Sequence, residues 1–155
     1  RTRSDLVAMA DVEQRKSNEM SGAELSYRYT GSPLIAAEPG TPPAIDFIDY
    51  HPTTWPGARL PHAWLTDGSA MQDRIGNDLG YTLLRLGRSQ ADGSALAQAF
   101  AALRVPLCIL DIPDEEPRAV YGYDLLLIRP DLHVAWRGNR SPEDPQRLAA
   151  MATGH

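Results

Sequence analysis

The chain has 155 residues, 43% of them hydrophobic, with 20 acidic against 15 basic residues and a formal net charge of -5. That length supports one domain with a single core plus appendages. The basic residues are scattered along the chain, which argues against nucleic acid or a membrane surface as partner. One cysteine, Cys108, precludes an internal disulfide and fits a reducing, cytoplasmic setting. No apolar run approaches the ~18 residues of a membrane span, and no leader is recognisable. A chain that begins at Arg1 rather than Met is expected to be a piece of a longer protein.

Residues 1–20 are expected to be helical, with Leu6, Val7, Met9, Ala10 and Val12 as an apolar stripe and Ser21-Gly22 as the stop. From Leu25 to Tyr29 the alternation predicts a short strand. Seven of the 13 prolines lie between Pro33 and Pro61, so residues 31–61 are expected to be an extended arm, with Phe47, Tyr50 and Trp55 among its apolar exceptions. Ala63-Trp64-Leu65 follows as a short strand. Ser69 and Gln72 then match a capping box for a helix over about residues 70–75. The stretch from Tyr81 to Leu86 is a strand bounded by glycines. Residues 94–104 have helical spacing, and Leu107 to Ile112 is a nearly continuous apolar strand of the kind buried on both faces. The acidic run from Asp111 to Glu116 is expected to be a solvated loop. A second strand of the kind buried on both faces, from Asp124 to Ile128, turns at Arg129-Pro130-Asp131 into Leu132 to Trp136, where alternation places Leu132, Val134 and Trp136 on one side. A last helix opens near Ser141-Pro142 and buries Leu148 and Met151. Two strands joined by a helix, then a hairpin and a closing helix, predict a thioredoxin-like three-layer α/β/α sandwich with a mixed central sheet. The expected divisions are 1–30, 31–61 and 62–155.

The reactive positions of such a fold are unfurnished. The loop from Gly87 to Gly93, where a thioredoxin-like enzyme keeps its nucleophile at a helix N-terminus, holds no cysteine. Cys108 falls inside a predicted buried strand. His51, His62, His133 and His155 lack metal-ligand spacing. No glycine-rich nucleotide motif or nucleophile elbow is present. On this basis no catalytic, cofactor-binding or metal residue is expected.

Three blocks in order carry a resemblance. They are Trp55-Pro-Gly-Ala-Arg-Leu-Pro-His-Ala-Trp-Leu65, Tyr81-Thr-Leu-Leu84, and Leu127-Ile-Arg-Pro-Asp-Leu-His-Val-Ala-Trp-Arg-Gly138. Together they resemble the C-terminal region of FAD-dependent aromatic-ring hydroxylases, the phenol hydroxylase-like flavoprotein monooxygenases, over roughly residues 20–152. The resemblance implies a thioredoxin-like domain without the redox motif. Its parent enzyme would hydroxylate a phenol with FAD, NAD(P)H and O2, and the cofactor sites would lie upstream of Arg1. The expected partners are the upstream FAD and substrate domains, or a second copy in a homodimer. Because aromatic and cationic side chains are dense in the arm, Tyr50, His51, Trp55, Arg59 and His62 are expected to face the catalytic domains. Two alternatives stay open: a thiol-dependent enzyme using Cys108, and a small-ligand binding module.

Overall fold

The computed structural model describes residues 2–18, 20–75, 80–87, 89 and 91–155. They form two compact units, Arg1–Tyr27 with Pro42–Pro52, and Arg28–Thr41 with Thr53–His155. The proline-rich segment is therefore shared between them.

The smaller unit contains helix α1 (Arg3–Asn18) and helix α2 (Ser21–Leu25). Thr2 and Asp5 cap α1 reciprocally, each side chain accepting the other's backbone N–H. The expected helix is found, but its apolar residues Leu6, Val7, Met9 and Val12 are 47–62% exposed. Where a strand was expected from Leu25 there is instead the end of α2. Ser21-Gly22, read as a stop, opens that helix. Gly22 explains why: its N–H donates to the Ile48 carbonyl, and a Cβ there would lie 2.0 Å from the Asp46 carbonyl oxygen. Only glycine lets this backbone approach so closely.

The larger unit contains α3 (Met71–Arg74), β1 (Tyr81–Leu86), α4 (Ser94–Ala102), β2 (Leu107–Ile112), α5 (Glu115–Tyr121), β3 (Leu125–Ile128), β4 (Val134–Gly138) and α6 (Pro145–Thr153). The sheet runs β2-β1-β3-β4, with β1 and β2 parallel and the other pairs antiparallel. One face packs on α4 and α6 through Leu83, Phe100, Leu127 and Leu148. The other packs on α3, α5 and the extended segment 57–65 through Leu60, Met71, Tyr121, Leu126 and Val134. This is the thioredoxin-like three-layer sandwich, with helices on both faces of a mixed sheet.

Several local expectations are corrected. Of the two strands expected to be buried on both faces, 107–112 and 124–128, only the second is so: the four residues of β3 are all 0% exposed. By contrast β2 lies at the sheet edge, so Cys108 and Asp111 are exposed and Cys108 is not an interior thiol. The acidic run does not stay a loop. Glu115 and Glu116 form the first turn of α5, where negative side chains offset the helix dipole, and Gly122 ends it at φ 77. Ser69 does not cap α3, because its hydroxyl bonds to Asp67. At the other end of the chain Asp144 caps α6 by accepting the Arg147 N–H, with Pro145 at the first helical position.

In β4 the register shifts between Leu127 and Ile128, which pair with Trp136 and Val134. The intervening Ala135 is a bulge residue. Val134 therefore packs on the side of α3 and α5, Ala135 and Trp136 on the side of α4 and α6, and the expected common side for Val134 and Trp136 is broken.

Segment 57–60 pairs with the start of β4 and the turn before it. Gly57 N–H donates to Val134 O at 2.7 Å, Val134 N–H to Ala58 O at 2.9 Å, and Leu60 N–H to Leu132 O at 2.8 Å. Prolines at 56 and 61 flank the pairing without removing a donor it needs.

Candidate functional site

After the bulge, Arg137 points to the face shared with the extended segment. Its guanidinium makes a bidentate pair with Glu38, at 2.8 and 2.5 Å, and donates to Thr54 Oγ1 at 3.0 Å. It also lies over the Trp55 ring at 5.2 Å and the Tyr123 ring at 4.4 Å. The Arg137 and Glu38 side chains are only 10% and 22% exposed, so the pair is largely withdrawn from water. Thr54 passes the link onward, its hydroxyl donating to the Tyr121 carbonyl at 2.8 Å. Tyr121 OH in turn donates to the Pro61 carbonyl at 3.0 Å. One chain of contacts thus joins residue 38, the segment 53–61, α5 and the sheet.

The turn between β3 and β4 is held in a similar way. Arg129 pairs with Asp131 and lies 4.9 Å from the Tyr29 ring centre, and Tyr29 packs on His133 at 4.6 Å. Leu132 closes the turn at φ 62, a conformation unfavourable for a side chain of this size. Burial alone would raise the Asp131 carboxyl, but hydrogen bonds from Arg129, its charge and His133 bring it below the ordinary carboxylate value. A carboxyl lowered in the folded state contributes stability above its unfolded value, near ~3.9, and loses it as pH falls through the lowered one. Asp131→Asn is therefore expected to flatten the acid limb of a stability–pH curve and leave its slope above pH ~6 unchanged. Thermal unfolding across the acid range measures this.

The sequence-predicted contact residues are divided between the two units. Tyr50 and His51 belong to the smaller unit, where His51 is exposed and 4.0 Å from Asp46. Trp55, Arg59 and His62 belong to the larger one. Trp55 is half-buried against Arg137, whereas Arg59 and His62 are exposed. Trp64, for which the sequence leaves open a core-capping place beside Trp55, is instead 53% exposed and meets the His62 ring edge-on at 4.5 Å. Alternation accounts for this, since Ala63 and Leu65 on either side are buried. The Glu38–Arg137 pair was missed, being 99 residues apart with no local pattern to betray it.

Two of the open clefts in the larger unit lie near these residues or the sheet edge. One, of about 490 Å³, is lined by Leu65, Thr66, Asp67, Arg74 and Asp114 among others. Its polar groups satisfy one another, Asp67 pairing with Arg74 and Asp114 accepting the Thr66 N–H. The other, of about 530 Å³, has Ala36, Trp136, Leu148 and Met151 in its wall and Arg147 beside them. Among the described residues no group of three or more His, Cys, Asp or Glu side chains could hold a metal.

A flavin needs backbone amides open to its phosphates at a helix start. At the head of α4, a Cβ on Gly93 would lie 2.6 Å from Leu83 and 3.1 Å from Ile109. That glycine serves core packing rather than a phosphate cradle.

The strand order and the helices on both faces of the mixed sheet define a thioredoxin-like domain. The family model described as "Aromatic-ring hydroxylase, C-terminal" matches residues 53–154, and the chain belongs to that family. The match begins where the larger unit resumes after its excursion. An FAD-dependent monooxygenase of Emericella nidulans is 33% identical over 88% of this chain and 23% of its own length. A phenol 2-monooxygenase of Pseudomonas sp. is 27% identical over 94% of this chain and 26% of its own. Among solved structures, the substrate-free rebeccamycin biosynthetic enzyme superposes with a TM-score of 0.78 at 31% identity, over 97% of this chain and 27% of that one. The chain thus spans about a quarter of the length of these relatives. No described helix is long and apolar enough to cross a membrane.

Proposed function

We propose that this chain is the non-catalytic C-terminal domain of a longer, cytoplasmic FAD-dependent hydroxylase that acts on a phenolic substrate with NAD(P)H and O2. Its task is to brace and dock the catalytic domains. The cofactors and the chemistry belong to those domains, and this one contributes rigidity. Flavin–oxygen chemistry has to be kept from water, and a stiff body clasping the catalytic part serves that end. We assign residues 1–30 to the link with the catalytic region, 31–61 to an arm and 62–155 to the scaffold.

The observation that carries this reading is the employment of the polar residues in the 127–138 block. Arg129, Asp131, His133 and Arg137 are all engaged in holding the turn and the segments packed on it. Docking is supported by apolar side chains left on the surface of α1 and by the exposed Arg59, His62 and Trp64. We assign Arg59 and His62 to direct contact with the catalytic domains, with Tyr50 and His51 contributing from the smaller unit. Trp55 shapes that contact through Arg137. The thiol-enzyme alternative has no support in the surroundings of Cys108, whose sulfur lies 3.8 Å from the Ile109 carbonyl.

Replacing Arg59 and His62 by alanine in the longer enzyme is expected to weaken flavin retention and raise NAD(P)H consumption per hydroxylated product. The larger unit should melt unchanged, since both side chains are exposed. Unaltered retention and coupling in both that variant and Trp55→Ala would remove the docking role.

A further inference from the structure

The smaller unit has almost no interior. Among the described residues of Arg1–Tyr27 and Pro42–Pro52, Gly22 alone is buried, and every position from 2 to 14 is exposed. A helix of 16 residues with nothing packed on it is marginal in water. Ten large apolar side chains are exposed among the described residues. Eight of them lie in this unit, which holds about a quarter of the chain, and only Trp64 and Val120 lie in the larger one. Apolar surface this dense, on a body without a core, is the mark of an interface.

The excursion 42–52 is nevertheless ordered. Asp46 accepts the N–H groups of Ile48 and Asp49 at 2.8 and 3.1 Å, which closes a tight turn. That turn sits on the start of α2, where Gly22 and Ala23 donate to the Ile48 and Phe47 carbonyls and Ser21 Oγ donates to that of Ile48. The first amides of the helix are thereby satisfied. Phe47 stands 65% exposed on the same turn. An aromatic ring held outward by a fixed turn is set to enter another body.

From these features we infer that residues 1–27 and 42–52 are packed into the interior of the upstream catalytic body, so that the polypeptide crosses between that body and the scaffold three times. The crossings fall at Tyr27-Arg28, Thr41-Pro42 and Pro52-Thr53. This rests on the longer-enzyme reading above. It separates 42–52 from the rest of the arm, and it is distinct from the surface contact assigned to Arg59 and His62.

Two observations select the upstream polypeptide over a second copy. At about 100° per residue, Leu6, Val7, Met9 and Val12 spread over about 220° of the circumference of α1. A seam between two like helices uses one narrow stripe, whereas enclosure on several sides is what a larger body provides. The match to the substrate-free rebeccamycin biosynthetic enzyme covers 97% of this chain and so takes in the smaller unit, in a protein of which this chain spans 27%. The family model, by contrast, begins at residue 53.

Hydrogen exchange on the longer enzyme and on the 155-residue chain tests this. Residues 3–18 and 42–52 are expected to exchange about a hundredfold slower in the longer enzyme, with β1 and β3 protected in both. Phe47→Asp should leave the Tm of the 155-residue chain unchanged, because the ring is exposed there. In the longer enzyme it should cut the protection of both segments about tenfold. Gly22→Ala sets a Cβ against the Asp46 carbonyl and should do the same to 42–52. The Arg59→Ala, His62→Ala protein should keep both segments protected.

Equal exchange of these segments in the two proteins overturns the inference, and a loss of flavin retention in the Arg59→Ala, His62→Ala protein would then leave docking standing without it. Protection that rises with the concentration of the 155-residue chain would give the surface to a second copy, and overturns it as well. So does a longer enzyme whose exchange is indifferent to Phe47→Asp. Slow exchange with unaltered retention in the Arg59→Ala, His62→Ala protein would instead remove the surface contact and keep the crossings.

Discussion

Arg137→Met is expected to destabilise the larger unit by about 3–5 kcal/mol, because it leaves a mostly buried carboxylate, Glu38, without its partner. For a chain of this size that corresponds to a fall in Tm of roughly 10 °C. The loss has three parts: the bidentate pair, the bond to Thr54 and the stacking on Trp55 and Tyr123. They can be separated. Arg137→Lys keeps the charge but loses the planar fork and is expected to recover only part of the stability. Combining Arg137→Met with Glu38→Leu removes both charges, and the pair should be less destabilised than Arg137→Met alone. A double variant whose loss equals the sum of the two single losses would show that the two residues do not act together.

Tyr121→Ala is expected to cost a similar amount, about 3–5 kcal/mol. Its ring is 2% exposed in the core that α5 shares with the extended segment. Tyr121→Phe keeps the packing and loses the hydroxyl, leaving the Pro61 carbonyl without that donor. The expected cost is about 1–2 kcal/mol. Chemical denaturation of the three proteins measures both steps. If phenylalanine were as damaging as alanine, the hydroxyl and not the ring would be what fixes the 53–61 segment.

The sandwich could be read from the sequence because its evidence is local. Apolar strands at 81–86 and 107–112, a helical stretch between them and a turn at Arg129-Pro130-Asp131 each announce themselves within ten residues. What escaped was decided at long range. Whether Leu107 to Ile112 is interior or edge depends on which strand lies beside it, and the run of apolar residues is the same in either case. The phase of β4 is set by one unpaired residue, Ala135, that periodicity cannot locate. Gly22 opens a helix because of carbonyls contributed by residues 46 and 49. The contact residues fared likewise: arm composition drew attention to Trp55, Arg59 and His62, but only the fold distinguishes the half-buried Trp55 from its exposed neighbours.

The bond between Glu38 and Arg137 bears on how the domain can be excised. The family match opens at Thr53, and a polypeptide started there would discard Glu38 and Tyr29, stranding Arg137 and baring the hairpin turn. A piece that keeps these contacts has to start by Arg28, even though residues 42–52 belong to the other body and the larger unit resumes only at Thr53.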